Sequence, residues 1–146
     1  MTQVQPSDFD LMDASLDGVA EKGFDITEDV YAAFFEKRPD ARQYFKFEDI
    51  DPQGQGRMLT ELLELLQDQA RGRLHVRSSV RTIAADHLSY GVAALDLYTD
   101  FIEALRTTLR DSAGEAWTPE TDAAWRRQAE RLVKTIGRLP AKAPAA

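Results

Sequence analysis

Apolar residues recur at intervals of three and four positions along nearly the whole chain. No run of four or more residues shows the strict alternation that a half-buried β-strand would have. A period near 3.6 residues is typical of helices that bury one face. The pattern therefore predicts an all-α fold.

Caps and helix breakers set the ends of the first, second and last helices. Ser7 is suited to cap a first helix that ends near Gly23. A second helix begins at Thr27 and is stopped by Pro39. The Thr-Pro pair at 118–119 predicts the start of the last helix, because it combines a capping hydroxyl with a proline at the first helical position.

Shorter segments and connections lie between these helices. Residues 40–45 are expected to form a helical turn, followed by a loop over 46–53. A polar, Arg-rich connection over 69–77 precedes a helix that Ser79 caps and Gly91 ends. The predicted inward residues, helix by helix, are Phe9, Met12, Leu16, Val19 and Ala20; Val30, Tyr31, Phe34 and Phe35; Gln55, Leu59, Leu62, Leu63 and Leu66; Val80, Ile83, Ala84 and His87; Leu97, Tyr98, Phe101, Ile102, Leu105 and Leu109; Trp125, Ala129, Leu132, Val133 and Ile136.

Composition bounds the class of protein. The chain has 146 residues, with 18 Lys and Arg against 25 Asp and Glu, a net charge of −7 and no Cys. This length fits one domain with a single core. No stretch approaches the roughly 18 apolar residues needed to cross a bilayer, and the polar start carries no secretory signal, so a cytoplasmic protein is expected. A pI near 4.8 argues against binding to nucleic acid and, more weakly, to anionic membranes.

The counts of His and Cys restrict the metal chemistry. A lone His on an apolar helical face is more often a core residue than a ligand. With two His and no Cys, however, a protein-only zinc or di-metal site would need inward carboxylates, and the predicted inward faces contain none. His87 is therefore expected to be the single axial ligand of a metal whose other ligands come from a cofactor, as in haem held by one neutral imidazole. His75 lies in the polar connection and is expected to be an ordinary exposed residue.

Several segments resemble the globin family. They are Arg-Pro-Asp-Ala-Arg-Gln-Tyr-Phe at 38–45, Gln-Gly-Arg-Met-Leu-Thr-Glu-Leu-Leu at 55–63, Asp-His-Leu-Ser-Tyr-Gly-Val at 86–92, and Trp-Thr-Pro-Glu at 117–120 followed by Ala-Trp at 124–125. The resemblance covers residues 7–137 and is greatest to bacterial single-domain globins and the haem domain of flavohaemoglobins. It implies a globin fold of about six to eight helices around a haem b pocket. Residues 1–138 are then the globin domain, and residues 139–146 a flexible Pro/Ala-rich tail.

The resemblance also implies roles for individual residues. In these globins a Phe packs flat on the haem, with a distal Tyr fourteen residues before it and a distal Gln ten residues after it. Phe45, Tyr31 and Gln55 stand at these positions. The ligand His follows the distal Gln by 32 residues, and His87 has this spacing. An alternative alignment on the vertebrate myoglobin pattern places Gly54 at the distal position, but it needs a four-residue insertion before His87 and ranks second.

Two further groups of residues are candidates for haem contact. The apolar wall of the pocket is expected to include Leu59, Ile83, Val92 and Phe101. Five arginines could pair with haem propionates or form a solvated basic face, of which the solvated face is favoured: Arg57, Arg71, Arg73, Arg77 and Arg81.

The implied function is reversible binding of O2 and other diatomic gases, CO and NO, at ferrous iron, for O2 transport or gas scavenging. The alternatives are an NO dioxygenase or weak peroxidase supplied by an external reductase, a gas-sensor module of a longer protein, and a haem-free helical regulator. Flavohaemoglobins carry a following reductase domain and a Glu where Lys142 stands, and Asp86 replaces their usual Lys before the ligand His. These departures put dioxygenase chemistry in doubt.

Overall fold

In the computed structural model, residues 5–23, 25–49 and 53–139 are described, without the side chains of residues 46–49. Within these ranges the chain forms six α-helices, two 3-10 helices and no strand. The helices are α1 (Asp8–Glu21), α2 (Thr27–Lys37), a 3-10 helix (Pro39–Asp49), α3 (Gly54–Ala70), α4 (Val76–Ser89), α5 (Leu95–Ala113), a second 3-10 helix (Gly114–Ala116) and α6 (Pro119–Gly137). The prediction of an all-α fold is confirmed.

The capping hydroxyls predicted for α1 and α6 are present. The amide of Asp10 donates to the Ser7 hydroxyl at 3.1 Å, and the Ser7 amide donates back to the Asp10 carboxylate at 3.2 Å. This reciprocal pair satisfies amides that the first turn of α1 would otherwise leave without partners. The Thr118 hydroxyl accepts from the amide of Thr121 at 3.1 Å, with Pro119 at the first position of α6.

Helix α5 lies at the centre of the packing. It contacts α1, α2 and α6, while α3 contacts α1, α4 and α6. All the predicted inward residues of α5 are buried except Tyr98, which is half-buried. Two buried hydrogen bonds link the outer helices: Trp125 Nε1 donates to Ser15 Oγ at 3.0 Å, and Gln69 Nε2 donates to the Gln128 carbonyl at 2.8 Å.

Helix α4 begins earlier than its sequence suggested. It starts at Val76 rather than after a cap at Ser79, because Val76 is buried and extends the apolar stripe of Val80 by one turn. The amide of Ser79 instead donates to the His75 carbonyl at 3.0 Å. The connection predicted over 69–77 is therefore shorter, since Gln69 and Ala70 still belong to α3.

The segment after α2 and one residue of α1 also differ from prediction. The 3-10 helix continues to Asp49, with a kink at Phe45 (φ −115°, ψ 27°), where a loop from residue 46 was expected. Residues 50–52 of that predicted loop, and residues 140–146 of the predicted tail, lie outside the described residues. Ala20 is exposed rather than inward. No helix in the described ranges combines the length and apolar character required to span a membrane.

Candidate ligand cavity

An apolar cavity lies beside α5 and is enclosed by residues from every α-helix except α1. It measures about 260 Å³, counted as the space open to the centres of water molecules. The lining residues are Phe34, Ala41, Tyr44, Phe45, Met58, Glu61, Leu62, Leu65, Ile83, Asp86, His87, Tyr90, Val92, Leu97, Tyr98, Phe101, Ile102, Leu132 and Ile136. Glu61 and Asp86 are exposed, so they lie at the rim. Among the lining residues within the described ranges there is no Lys or Arg, so the described wall is apolar and its described rim is acidic.

His87 is the imidazole that lines this cavity. It follows Val80 and Ile83 on α4, so the turns that bury this face of the helix also direct the histidine inward. Its Nδ1 lies 2.8 Å from the Ile83 carbonyl oxygen. Because a carbonyl can only accept, Nδ1 carries the proton in the neutral ring, and the lone pair of Nε2 lies on the opposite side. His87 therefore presents a metal-ligating nitrogen away from its own backbone.

The turn after α4 places Val92 on the same cavity. The His87 carbonyl accepts from the Val92 amide at 2.9 Å, and Gly91 has a φ of +88°. This left-handed conformation is accessible to glycine at little cost, and a Cβ at this position would lie 3.7 Å from the Tyr44 ring. The predicted end of the helix at Gly91 is thus the feature that folds Val92 back under His87.

The donor set of this cavity fits a haem. It offers one neutral imidazole whose tautomer is fixed by a carbonyl, surrounded by apolar and aromatic walls, as a cofactor that brings its own equatorial ligands requires. Burial raises the pKa of Tyr98 to about 12, so its hydroxyl stays neutral, and its ring centre lies 5.5 Å from that of His87. In this cavity His87 would hold the iron.

Five of the six residues predicted to contact the cofactor line the cavity together. They are Phe45, Ile83, His87, Val92 and Phe101. The sixth, Leu59, is buried but does not line it. On α3 the cavity is faced instead by Met58, Leu62 and Leu65, whose spacing of four and three residues forms a second apolar row beside the predicted one. That spacing is visible in the sequence as a second apolar row, but the sequence alone does not decide which of the two rows faces the cavity.

Tyr31 and Gln55 lie near the cavity but not on its wall. The Tyr31 hydroxyl donates to the backbone carbonyl of Gln55 at 3.0 Å. The Tyr31 ring centre is 5.4 Å from that of Phe45 and 5.2 Å from that of Phe101, and both of these rings line the cavity. Gln55 borders a separate, more polar hollow that also contains Arg57. The structure thus brings the two predicted distal residues together, one layer behind the cavity.

Three tyrosines on the cavity wall were not singled out as site residues. Tyr44, Tyr90 and Tyr98 come from the 3-10 helix, the end of α4 and α5. Tyr90 is exposed and Tyr98 is half-buried. Periodicity predicts the inward direction of Tyr98, but only the packing of three separate elements brings it together with Tyr44 and Tyr90. His75 is exposed, with Nε2 at 2.9 Å from an Asp68 oxygen.

A family model described as Globin matches residues 28–136. This chain belongs to the globin family. Two rice proteins, from Oryza sativa subsp. japonica and subsp. indica, are each 28% identical over 113 residues, which cover 73% of this globin and 74% of the relative. Both are named Anaerobic nitrite reductase NSHB5. Since these relatives are plant proteins, the specific likeness to bacterial single-domain globins and flavohaemoglobins stays a prediction.

Proposed function

We propose that this globin binds haem b through His87 and holds diatomic gases, O2, CO and NO, in the cavity beside it. The observation that carries the proposal is the single imidazole in an apolar cavity, with Nδ1 bonded to the Ile83 carbonyl. Globins in general bind gases through haem, which supports the same conclusion. When bound, haem supplies a ferrous iron with one position for a gas ligand.

The protein's part is to orient the ligand histidine and to exclude water. The bond from His87 Nδ1 to Ile83 fixes the ring tautomer and limits rotation of the ring about its bond to the helix. Phe45, Leu62 and Phe101 supply apolar walls, which offer water few hydrogen-bond partners and cost a neutral gas little solvation. In such a wall a polar contact to the gas has a larger effect than in water, because the local dielectric is low.

Tyr31 is proposed as the residue that donates to bound O2, with Gln55 as its distal partner. Their mutual hydrogen bond and the contact of Tyr31 with Phe45 support this pairing. The hydroxyl has one proton, which it shares with the Gln55 carbonyl. Donation to a gas therefore requires the hydroxyl to turn from that carbonyl toward the cavity.

Neutral gases fit the cavity better than anions. Glu61 and Asp86 stand at its rim, and the lining residues that the structure describes include no Lys or Arg, so on this side an anion would approach against two carboxylates. We therefore rank nitrite reduction, suggested by the names of the rice relatives, after gas binding. NO dioxygenation with an external reductase and gas sensing use the same cavity and remain alternatives to O2 binding or transport.

The test is an absorption spectrum of protein expressed with haem available, first reduced and then exposed to CO and O2. Wild-type protein should show a Soret band that shifts with each gas. His87→Ala should remove haem or leave it loosely held, with exogenous imidazole restoring the spectrum. His75→Ala is the matched control, because it removes an exposed imidazole outside the cavity. Unchanged haem content in His87→Ala, with depletion in His75→Ala, would refute the assignment.

A further inference from the structure

The turn between α3 and α4 and the first part of α4 carry an unusual concentration of positive charge. Residues 69–85 contain four arginines and no Asp or Glu. The rest of the chain holds fourteen Lys and Arg against all 25 Asp and Glu, a net charge of −11. A basic surface on an otherwise acidic protein produces a strong field asymmetry, which orients charged partners as they approach.

These arginines are not used inside the fold. Arg71, Arg73, Arg77 and Arg81 are all exposed, and Arg71 lies over the Phe9 ring at 4.8 Å. The guanidinium groups of the other three make no ion pair or side-chain hydrogen bond with any residue that the structure describes.

Several arginines elsewhere in the described part of the chain are paired with carboxylates. Arg38 pairs with Asp40, Asp96 and Asp100, Arg106 with Glu103 and Asp122, and Arg127 with Asp8. The arginines after α3 therefore retain their full capacity for carboxylates of another molecule.

A fully exposed leucine stands among them. Leu74 is 97% exposed, the most exposed large hydrophobic side chain of the described residues. Arg73 precedes it, and Arg77 follows on the first turn of α4. An isolated surface leucine needs no explanation, but an exposed leucine with arginines on either side of it in the sequence has the composition of a protein interface. We call Arg71, Arg73, Leu74, Arg77 and Arg81 the basic corner.

We propose that the basic corner docks a small acidic electron-transfer protein. The proposal rests on the proposed function, because a redox partner has a role only if His87 holds haem. The corner lies at the start of α4, and His87 is eleven residues beyond Val76, about 16 Å along the same helix. One electron would pass from the partner's reduced centre to ferric iron, oxidising the partner and returning the iron to the ferrous state.

Other occupants fit less well. Nucleic acid or an anionic membrane presents negative charge over an extended surface, which would also face the acidic remainder of this chain. A small acidic protein can instead direct its carboxylates at the corner alone, with an apolar contact to Leu74 at the centre.

The primary test is binding, measured by isothermal titration of a plant-type [2Fe–2S] ferredoxin into the haem-loaded protein at low ionic strength. Arg77→Glu/Arg81→Glu should raise the Kd at least 10-fold, and salt should weaken wild-type binding. Leu74→Ser should also weaken binding but leave its salt dependence unchanged.

The matched control is Arg110→Glu/Arg138→Glu, which makes the same change in net charge at two exposed arginines. Arg110 is near the end of α5, and Arg138 directly follows α6. Its Kd should stay within about twofold of wild type. Circular dichroism should confirm that both variants fold, because all four substituted arginines are exposed.

The second readout is stopped-flow reduction of ferric protein by reduced ferredoxin, which should slow at least 10-fold in Arg77→Glu/Arg81→Glu alone. Equal binding and reduction in this variant and the wild type would overturn the proposal. So would binding of the corner to phosphatidylserine vesicles or to itself in place of ferredoxin. If wild-type protein lacked haem, the proposed function would fail, while titration of the same protein would still test the docking surface.

Discussion

Tyr31→Phe is the substitution that best tests the arrangement around the cavity. The Tyr31 side chain is 3% exposed, and its ring contacts Phe35, Phe45 and Phe101. Phenylalanine keeps these ring contacts and removes only the hydroxyl. The variant therefore isolates the proton that the structure shows on the Gln55 carbonyl at 3.0 Å.

The size of the effect follows from the competition for that proton. A hydrogen bond to a partly charged oxygen in a dry pocket contributes about 1.5–3 kcal/mol, and an ordinary one about 1 kcal/mol. Turning the hydroxyl from the Gln55 carbonyl to bound O2 therefore gains only about 0.5–2 kcal/mol. Loss of the hydroxyl should raise the O2 dissociation rate about 2- to 30-fold. If the hydroxyl had no other acceptor, as the sequence alone would suggest, the O2 dissociation rate should rise by more, roughly 10- to 100-fold.

Stopped-flow displacement of O2 by CO, and of CO by NO, gives the two dissociation rates. CO carries less negative charge than O2, so its rate should change less than twofold. Tyr98→Phe is the matched control, since it removes a phenol from the cavity wall beside His87. Gln55→Leu should raise the O2 rate more weakly. Equal changes for both gases, or a loss of about 1 kcal/mol in stability with no kinetic change, would mean that the hydroxyl serves only the fold.

Three further outcomes are expected. Arg106→Met should lower the free energy of unfolding in urea by about 1–2 kcal/mol, because Glu103 and Asp122 lose the buried guanidinium but are partly exposed, and Asp122 keeps its bonds from Arg126 and Trp117. Arg110→Met, at an exposed pair, should cost less than about 0.5 kcal/mol. Burial alone would raise the pKa of Asp122, but hydrogen bonds from Arg126, Trp117 and Arg106 together hold this pKa at about 2. The contribution of Asp122 to stability should therefore be present above about pH 4 and be lost as the pH falls toward 2. Asp122→Asn should abolish this pH-dependent loss. Oxygenated protein mixed with NO should yield nitrate in one fast turnover. Steady NO consumption with NADH alone should be negligible, because the sequence has no Gly-x-Gly-x-x-Gly motif that would bind the dinucleotide. Sustained NO consumption at the single-turnover rate would favour the dioxygenase.

The sequence by itself determined most of the helix ends and the helix face on which His87 lies. Capping by Ser7 and Thr118 and breaks at Pro39 and Gly91 are local effects, decided by side chains within a few residues of each helix end. The inward direction of His87 follows from helical periodicity, which can be read from the spacing of the apolar residues before it. For these features local physics and the observed fold agree.

Tertiary packing decided the rest. It extended α4 to Val76, because burial of one more apolar residue outweighed the capping preference of Ser79. It also selected Met58 rather than Leu59 for the cavity, since both rows of α3 are apolar and only the neighbouring helices determine which row meets α4 and α5. Finally, it placed the Tyr31 hydroxyl on the Gln55 carbonyl, 24 residues away. Spacing along the chain predicts that two residues are neighbours, but the partner of a single proton depends on the three-dimensional positions of all the acceptors around it.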